Sequence, residues 1–147
     1  MRQAIVFIFA AVLCASCFAQ TTTAPDSQNL PSIPVIVAKK QFLNRVGSIK
    51  MFDLYTTNDD ANFQLYVYVS SASCSGNGEV LGTRIYWTDD NAQFNAPFVS
   101  LNCTTQGGAY YNSGAVLIHA KAGTPIQMAI ASDDVTTYGL SITLEHL

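Results

Sequence analysis

Phe63-Gln64-Leu65-Tyr66-Val67-Tyr68-Val69 is the stretch that decides the fold of this chain. Phe63, Leu65, Val67 and Val69 fall on one side of an extended backbone, and Gln64, Tyr66 and Tyr68 on the other. Side chains alternate across a strand with a period of two, so the stretch reads as a β-strand with one apolar face. The same grammar returns at the C-terminus, where Leu140, Ile142 and Leu144 alternate with Ser141, Thr143 and Glu145. That is the pattern of an antiparallel strand with one buried and one wet face.

Working outward from these two, Ile33–Ala38, Val46–Tyr55, Arg84–Thr88, Phe94–Leu101, Ala115–Ala120 and Ile126–Ala131 also read as strands. Pro34 places the first of them at a sheet edge or a strand start, because proline cannot donate to a ladder. Turn-forming clusters separate the runs: Asn58-Asp59-Asp60, Gly76-Asn77-Gly78, Asp89-Asp90-Asn91, Gly107-Gly108, Ala122-Gly123-Thr124-Pro125 and Ser132-Asp133-Asp134. No window supports a helix of ten or more residues. The expectation is an all-β chain: a single β-sandwich or jelly roll of about seven to nine antiparallel strands.

The chain has 147 residues, 49% of them apolar and only 12% charged, with a net charge of −3. That composition excludes a disordered tail, a coiled coil and a basic nucleic-acid-binding module. Residues 1–19 (MRQAIVFIFAAVLCASCFA) carry Arg2, a ten-residue apolar run from Ala4 to Leu13, and Cys17 and Ala19 ahead of Gln20. These are the parts of an export signal peptide, and no run is long enough for a transmembrane segment. A competing reading makes Cys17 a lipidated residue, with Cys14 standing where a lipobox usually carries Leu. Residues 20–32 (QTTTAPDSQNLPS) read as a flexible leader, and 33–147 as the sandwich domain. The expected location is secreted, extracellular or at the cell surface.

Export leaves Cys74 and Cys103 as a pair. Oxidising compartments favour a structural disulfide, and neither residue has a third ligand near it in sequence to make a metal site. No metal and no cofactor are expected.

The search for catalytic signatures finds none. His119 lies inside a strand and His146 is the penultimate residue. No metal-binding histidine spacing, nucleophile elbow or phosphate-binding loop occurs. The doublets Asp59-Asp60, Asp89-Asp90 and Asp133-Asp134 lie in loops, where turn formation is preferred over calcium binding. Asn102-Cys103-Thr104 fits a glycosylation acceptor pattern and is set down to chance beside a bridged cysteine. Trp87, alone in an apolar strand, is expected in the core.

Tyrosines are abundant for so few charges. Tyr66, Tyr68, Tyr110 and Tyr111 together form a candidate aromatic face, suited to a protein interface or to stacking on sugars.

From Leu54 to Leu147 the chain resembles a group of bacterial and phage-associated β-sandwich modules. The resemblance is carried by Leu54-Tyr55-Thr56, Tyr66-Val67-Tyr68-Val69, Tyr86-Trp87-Thr88-Asp89-Asp90, Ile118 to Ile126, and Thr143-Leu144-Glu145-His146-Leu147. It implies a component of virion surfaces, fibres or secreted proteins, with no catalytic residues. The export signal and cysteine pair shift that expectation from a virion to an extracellular setting.

The functional expectation is a non-enzymatic exported sandwich acting by association, as a subunit of a fibre, surface layer or other extracellular assembly. Self-association would proceed by edge-strand pairing, with Pro34, Val35, Ile36 and Val37 adding a strand to a neighbour or folding back on their own sheet. The alternative is a carbohydrate- or ligand-binding module using the tyrosines, with a glycan or a surface protein as partner.

Overall fold

A computed structural model describes residues 33–75 and 78–147; the expected signal peptide, Cys17 and the leader lie outside the described residues. Eight strands run in order: β1 (Val35–Arg45), β2 (Ile49–Thr56), β3 (Ala61–Ser71), β4 (Gly78–Thr88), β5 (Gln93–Cys103), β6 (Tyr110–Ala120), β7 (Pro125–Ser132) and β8 (Tyr138–His146). They form two four-stranded antiparallel sheets. Sheet I has the order β1-β8-β3-β6 and sheet II the order β2-β7-β4-β5. Only β4 and β5 are joined as a hairpin; the other connections cross between sheets, giving the eight-stranded jelly roll.

The period-two pattern directs the packing. From sheet I, Phe63, Leu65, Val67 and Val69 of β3 and Leu140, Ile142 and Leu144 of β8 point inward, all buried. Val80, Leu81 and Ile85 of β4 and Ile126, Met128 and Ile130 of β7 meet them from sheet II. Each such side chain contributes roughly 1.5–3 kcal/mol by leaving water. The one buried hydroxyl on β4, Thr83, is satisfied locally: it donates to Val99 O (2.8 Å) and accepts from Val99 N (2.9 Å). That exchange fills the register shift between β4 and β5.

Four sequence-level expectations are corrected. β6 begins at Tyr110 and not at Ala115. β1 continues to Arg45, seven residues beyond Ala38, because Lys40 turns inward and its ammonium lies 5.2 Å from the Phe52 ring centre. β4 begins at Gly78 instead of Arg84; Gly78, Glu79 and Gly82 had masked its first half. Trp87 packs against the core but is only half-buried, stacked on its cross-strand neighbour Phe94 (5.5 Å between centroids) at the end of β4.

Cys74 and Cys103 form a disulfide, with Cα atoms 6.2 Å apart. It ties the β3–β4 loop to the end of β5. Nearby, the Tyr138 hydroxyl donates to Gly47 O (2.8 Å) across the β1–β2 turn, where Gly47 adopts a φ of 86° that favours glycine. Burial pushes the Tyr138 phenol above its ordinary pKa, with Arg45 opposing.

Candidate functional site

The two sheets turn different surfaces to solvent. On the outside of sheet I stand Ile36 and Leu43 from β1, Tyr66 and Tyr68 from β3, and Tyr111 and Leu117 from β6, between 39% and 75% exposed. On the outside of sheet II, Asp53 accepts from Gln127 (2.7 Å) and Arg84 donates to Asn95 (2.7 Å), alongside Met51 and Tyr86. The outer face of sheet I is therefore mixed, its large apolar side chains standing among Lys39, Gln41, Gln64 and Glu145, while that of sheet II is laced with polar pairs.

The tyrosines on sheet I rise from a floor of small residues. Tyr66 lies opposite Ala115 on one side and Thr143 on the other; Tyr68 lies opposite Ser113 and Ser141. These six residues line a shallow depression of about 370 Å³. Tyr68 stacks on Tyr111, with centroids 6.3 Å apart and planes at 25°. A second depression of about 450 Å³ lies beside it, between Leu43, Ser70 and Gly139. Aromatic faces next to hydroxyls make a surface that accepts either apolar or neutral hydroxylated matter.

Of the four candidate tyrosines, three come together and one does not. Tyr110 and Tyr111 are adjacent on β6, so the pleat sends them to opposite faces. Tyr110 packs against the core, and its hydroxyl lies 2.9 Å from Thr104 Oγ1. Hydrogen bonds with Thr104 and Thr105 lower its pKa. Leu117 was missed as a member of the outer face, although it shares the odd-numbered period of Tyr111 along β6.

Val35 and Ile36 are placed in β1, opposite His146 and Glu145 of β8, while Val37 falls in the register shift between Ile36 and Ala38. Pro34 immediately precedes the strand.

Asp89 and Asp133 are used inside turns, and Asp60 between two loops. Asp89 Oδ1 accepts from the amides of Asn91 (2.7 Å) and Ala92 (3.1 Å), and Asp60 Oδ1 from that of Ala122 (2.7 Å). Asp133 accepts from the amides of Val135 and Thr136 and from the Thr136 hydroxyl (2.6 Å). Burial pushes the Asp133 carboxyl up, but the hydrogen bonds from Thr136, Val135 and Ser132 outweigh it and hold the pKa below the ordinary value. Among the described residues no three His, Cys, Asp or Glu side chains converge as a metal site. His119 lies 3.2 Å from Asn62 Oδ1 through Nδ1 and 3.6 Å from Asp90 through Nε2, linking the β4–β5 loop to the rim of sheet I. Among the described residues no helix is long and apolar enough to cross a membrane.

Among solved structures, weak likenesses are found to a bacteriophage capsid chain, a viral chain and a carbohydrate-binding module. A chain of the acidic stable capsid structure of Helicobacter pylori bacteriophage KHP30 is 13% identical, with a TM-score of 0.42 over 79% of this chain and 89% of that one. A chain of infectious bursal disease virus, Gt strain, is 13% identical, with a TM-score of 0.44 over 78% of this chain and 33% of that one. A family 16 carbohydrate-binding module is 10% identical, with a TM-score of 0.39 over 72% of this chain and 73% of that one. No protein-family model matches the sequence, and no curated protein matches it. With TM-scores of 0.44 or less, these likenesses carry no conclusion about function.

Proposed function

We propose that this protein acts without catalysis, by association, as a subunit of an extracellular assembly, and that the outer face of sheet I is its contact surface. The observation that carries the reading is the number of large apolar or aromatic side chains exposed: six on the outer face of sheet I, set among Lys39, Gln41, Gln64 and Glu145, against Met51 and the half-buried Tyr86 on that of sheet II. An exposed apolar patch on a folded domain marks an interaction surface. In this reading residues 1–19 direct export and residues 20–32 form a leader ahead of β1. Strand donation by Pro34–Val37 then takes the form of exchange between copies, because Val35 and Ile36 already pair with β8 of their own chain.

Sedimentation of the exported chain tests the reading beside Tyr66→Ser/Tyr68→Ser. Both tyrosines stand on an interior strand, so the variant alters the face and no sheet edge. The expected result is concentration-dependent multimers for the unaltered chain and smaller species for the variant, with the melting temperature preserved. A chain that stays monomeric at every concentration overturns it.

A second reading, a neutral glycan as ligand, is favoured by one feature: the depression in which Tyr66 and Tyr68 adjoin Ser113, Ser141 and Thr143. Binding of a glycan by monomer, abolished in the same double variant, would establish it in place of assembly.

A further inference from the structure

The four edges of the two sheets are not built alike. β1 carries Lys39, Lys40 and Arg45, and its register with β8 shifts twice. β2 carries Lys50 and Asp53, and its register with β7 shifts twice. β5 carries Pro97, and its register with β4 shifts twice. Charges, proline and bulges are the devices by which proteins stop an edge strand from pairing with another chain. β6 (YYNSGAVLIHA) has none of them: no Lys, Arg, Asp, Glu or Pro, and eleven consecutive pairs with β3 without a shift.

The free side of β6 is also correctly presented. Leu147 N donates to Asn62 O (3.0 Å), so Asn62 and every second residue after it on β3 bond toward β8. The intervening β3 residues bond toward β6, to its even-numbered positions. Backbone groups of Tyr111, Ser113, Ala115, Leu117 and His119 therefore point away from the sheet. Two amides share this direction and are already bonded: Ser113 N donates to Asn112 Oδ1 (2.8 Å), a local cap that a partner's carbonyl must displace, and Lys121 N, just past the strand, donates to Thr88 O (2.9 Å). Among the described residues β6 pairs with no strand other than β3.

We propose that the free edge of β6 pairs with β6 of a second copy of this chain, antiparallel about a two-fold axis at Gly114, joining two copies of sheet I into one eight-stranded sheet. The proposal rests on the association reading, names its partner and adds to the face a second contact along the sheet edge. An antiparallel strand pair is self-complementary under a two-fold. The strand carries no Lys, Arg, Asp or Glu, so two copies meet there without repulsion between such groups. This register places Tyr111 opposite Leu117 of the partner subunit, which covers the two most exposed apolar side chains of the strand, 75% and 63%. It also makes the outer faces of the two sheets continuous.

The test is disulfide trapping in the exported chain. The register sets Ser113 opposite Ala115 of the partner subunit, at a Cα spacing of about 5.5 Å, within disulfide reach. A mixture of Ser113→Cys and Ala115→Cys chains should yield a disulfide-linked dimer under mild oxidation, and neither variant alone should. Leu117→Lys should weaken dimerisation by about tenfold or more in sedimentation, and Met51→Lys on β2 should leave it unchanged. Multimers that form without the mixed crosslink and tolerate Leu117→Lys overturn the edge contact while leaving association in place. A chain that is monomeric throughout overturns both.

Discussion

The two ends of the sandwich are braced very differently. At the end where β3 leads into β4 and β7 into β8, the disulfide, the Tyr138–Gly47 bond and the Asp133 turn lie together. Ser71 donates to Thr137 O (2.8 Å) and Ser75 N to Thr136 Oγ1 (3.2 Å), so two loops from opposite sheets are sewn to one another. At the other end, the loops after β2, β4 and β6 meet through the Ala122–Asp60 bond and backbone contacts such as Gly123 N to Thr57 O (2.7 Å). There the described chain enters β1 and leaves β8, with Val35 opposite His146. With the covalent tie at the far end only, local opening is expected first at the entry end.

The largest effect that would sharpen this contrast is loss of the disulfide. Cys74 and Cys103 are 29 residues apart in sequence. Closing a loop of that length stabilises by about 3–4 kcal/mol through restriction of the unfolded chain. The Cys74→Ser/Cys103→Ser variant should lose that amount in denaturant unfolding. Its amide exchange should accelerate first around residues 104–109 and the start of β4. Acceleration spread evenly over both ends would break the comparison.

Asp133 comes next. Its carboxylate accepts three bonds that set the β7–β8 turn, and hydrogen bonds to a charged group are worth about 1.5–3 kcal/mol. Asp133→Ala should cost about 2 kcal/mol. The folded pKa is depressed, so the stabilisation is fully present above the unfolded carboxylate pKa and is lost as the pH falls below about 4 toward the folded value. Comparing unfolding midpoints at pH 6 and pH 3 should show a smaller deficit for the variant at the lower pH. An equal deficit at both would mean that the turn does not depend on the charge.

Much of this architecture is legible in the residues, and the gaps have physical causes. β3 and β8 are interior strands with one face in the core, so Phe63 to Val69 and Leu140 to Leu144 show clean alternation. β1 is an edge strand whose inward Lys40 replaces an apolar residue, and the pattern fades there. In β4, Gly82 and the register shift that follows it interrupt the period. The outer face was legible in part: Tyr66 and Tyr68 follow from β3 alone, but the expected strand began at Ala115, five residues past the start of β6, so Tyr110 was not separated from Tyr111, and Leu117 was missed. The bare edge of β6 was not legible, because a strand's place at an edge is a property of topology. Nothing within Tyr110–Ala120 says which neighbours it has.

The smallest effect tests the entry end directly. Asp60 is exposed, and its Oδ1 accepts from Ala122 N (2.7 Å), joining the β2–β3 loop to the β6–β7 loop. Water competes freely for an exposed carboxylate, so Asp60→Ala should cost about 0.5 kcal/mol or less in global unfolding. The local effect should be larger than the global one. Ala122 loses its acceptor while Gly123 keeps Thr57 O, so exchange should quicken at the Ala122 amide and little at Gly123. A global loss matching that of Asp133→Ala would show the two ends to be equally braced. The contrast would then lie only in the number of bonds and not in what they hold.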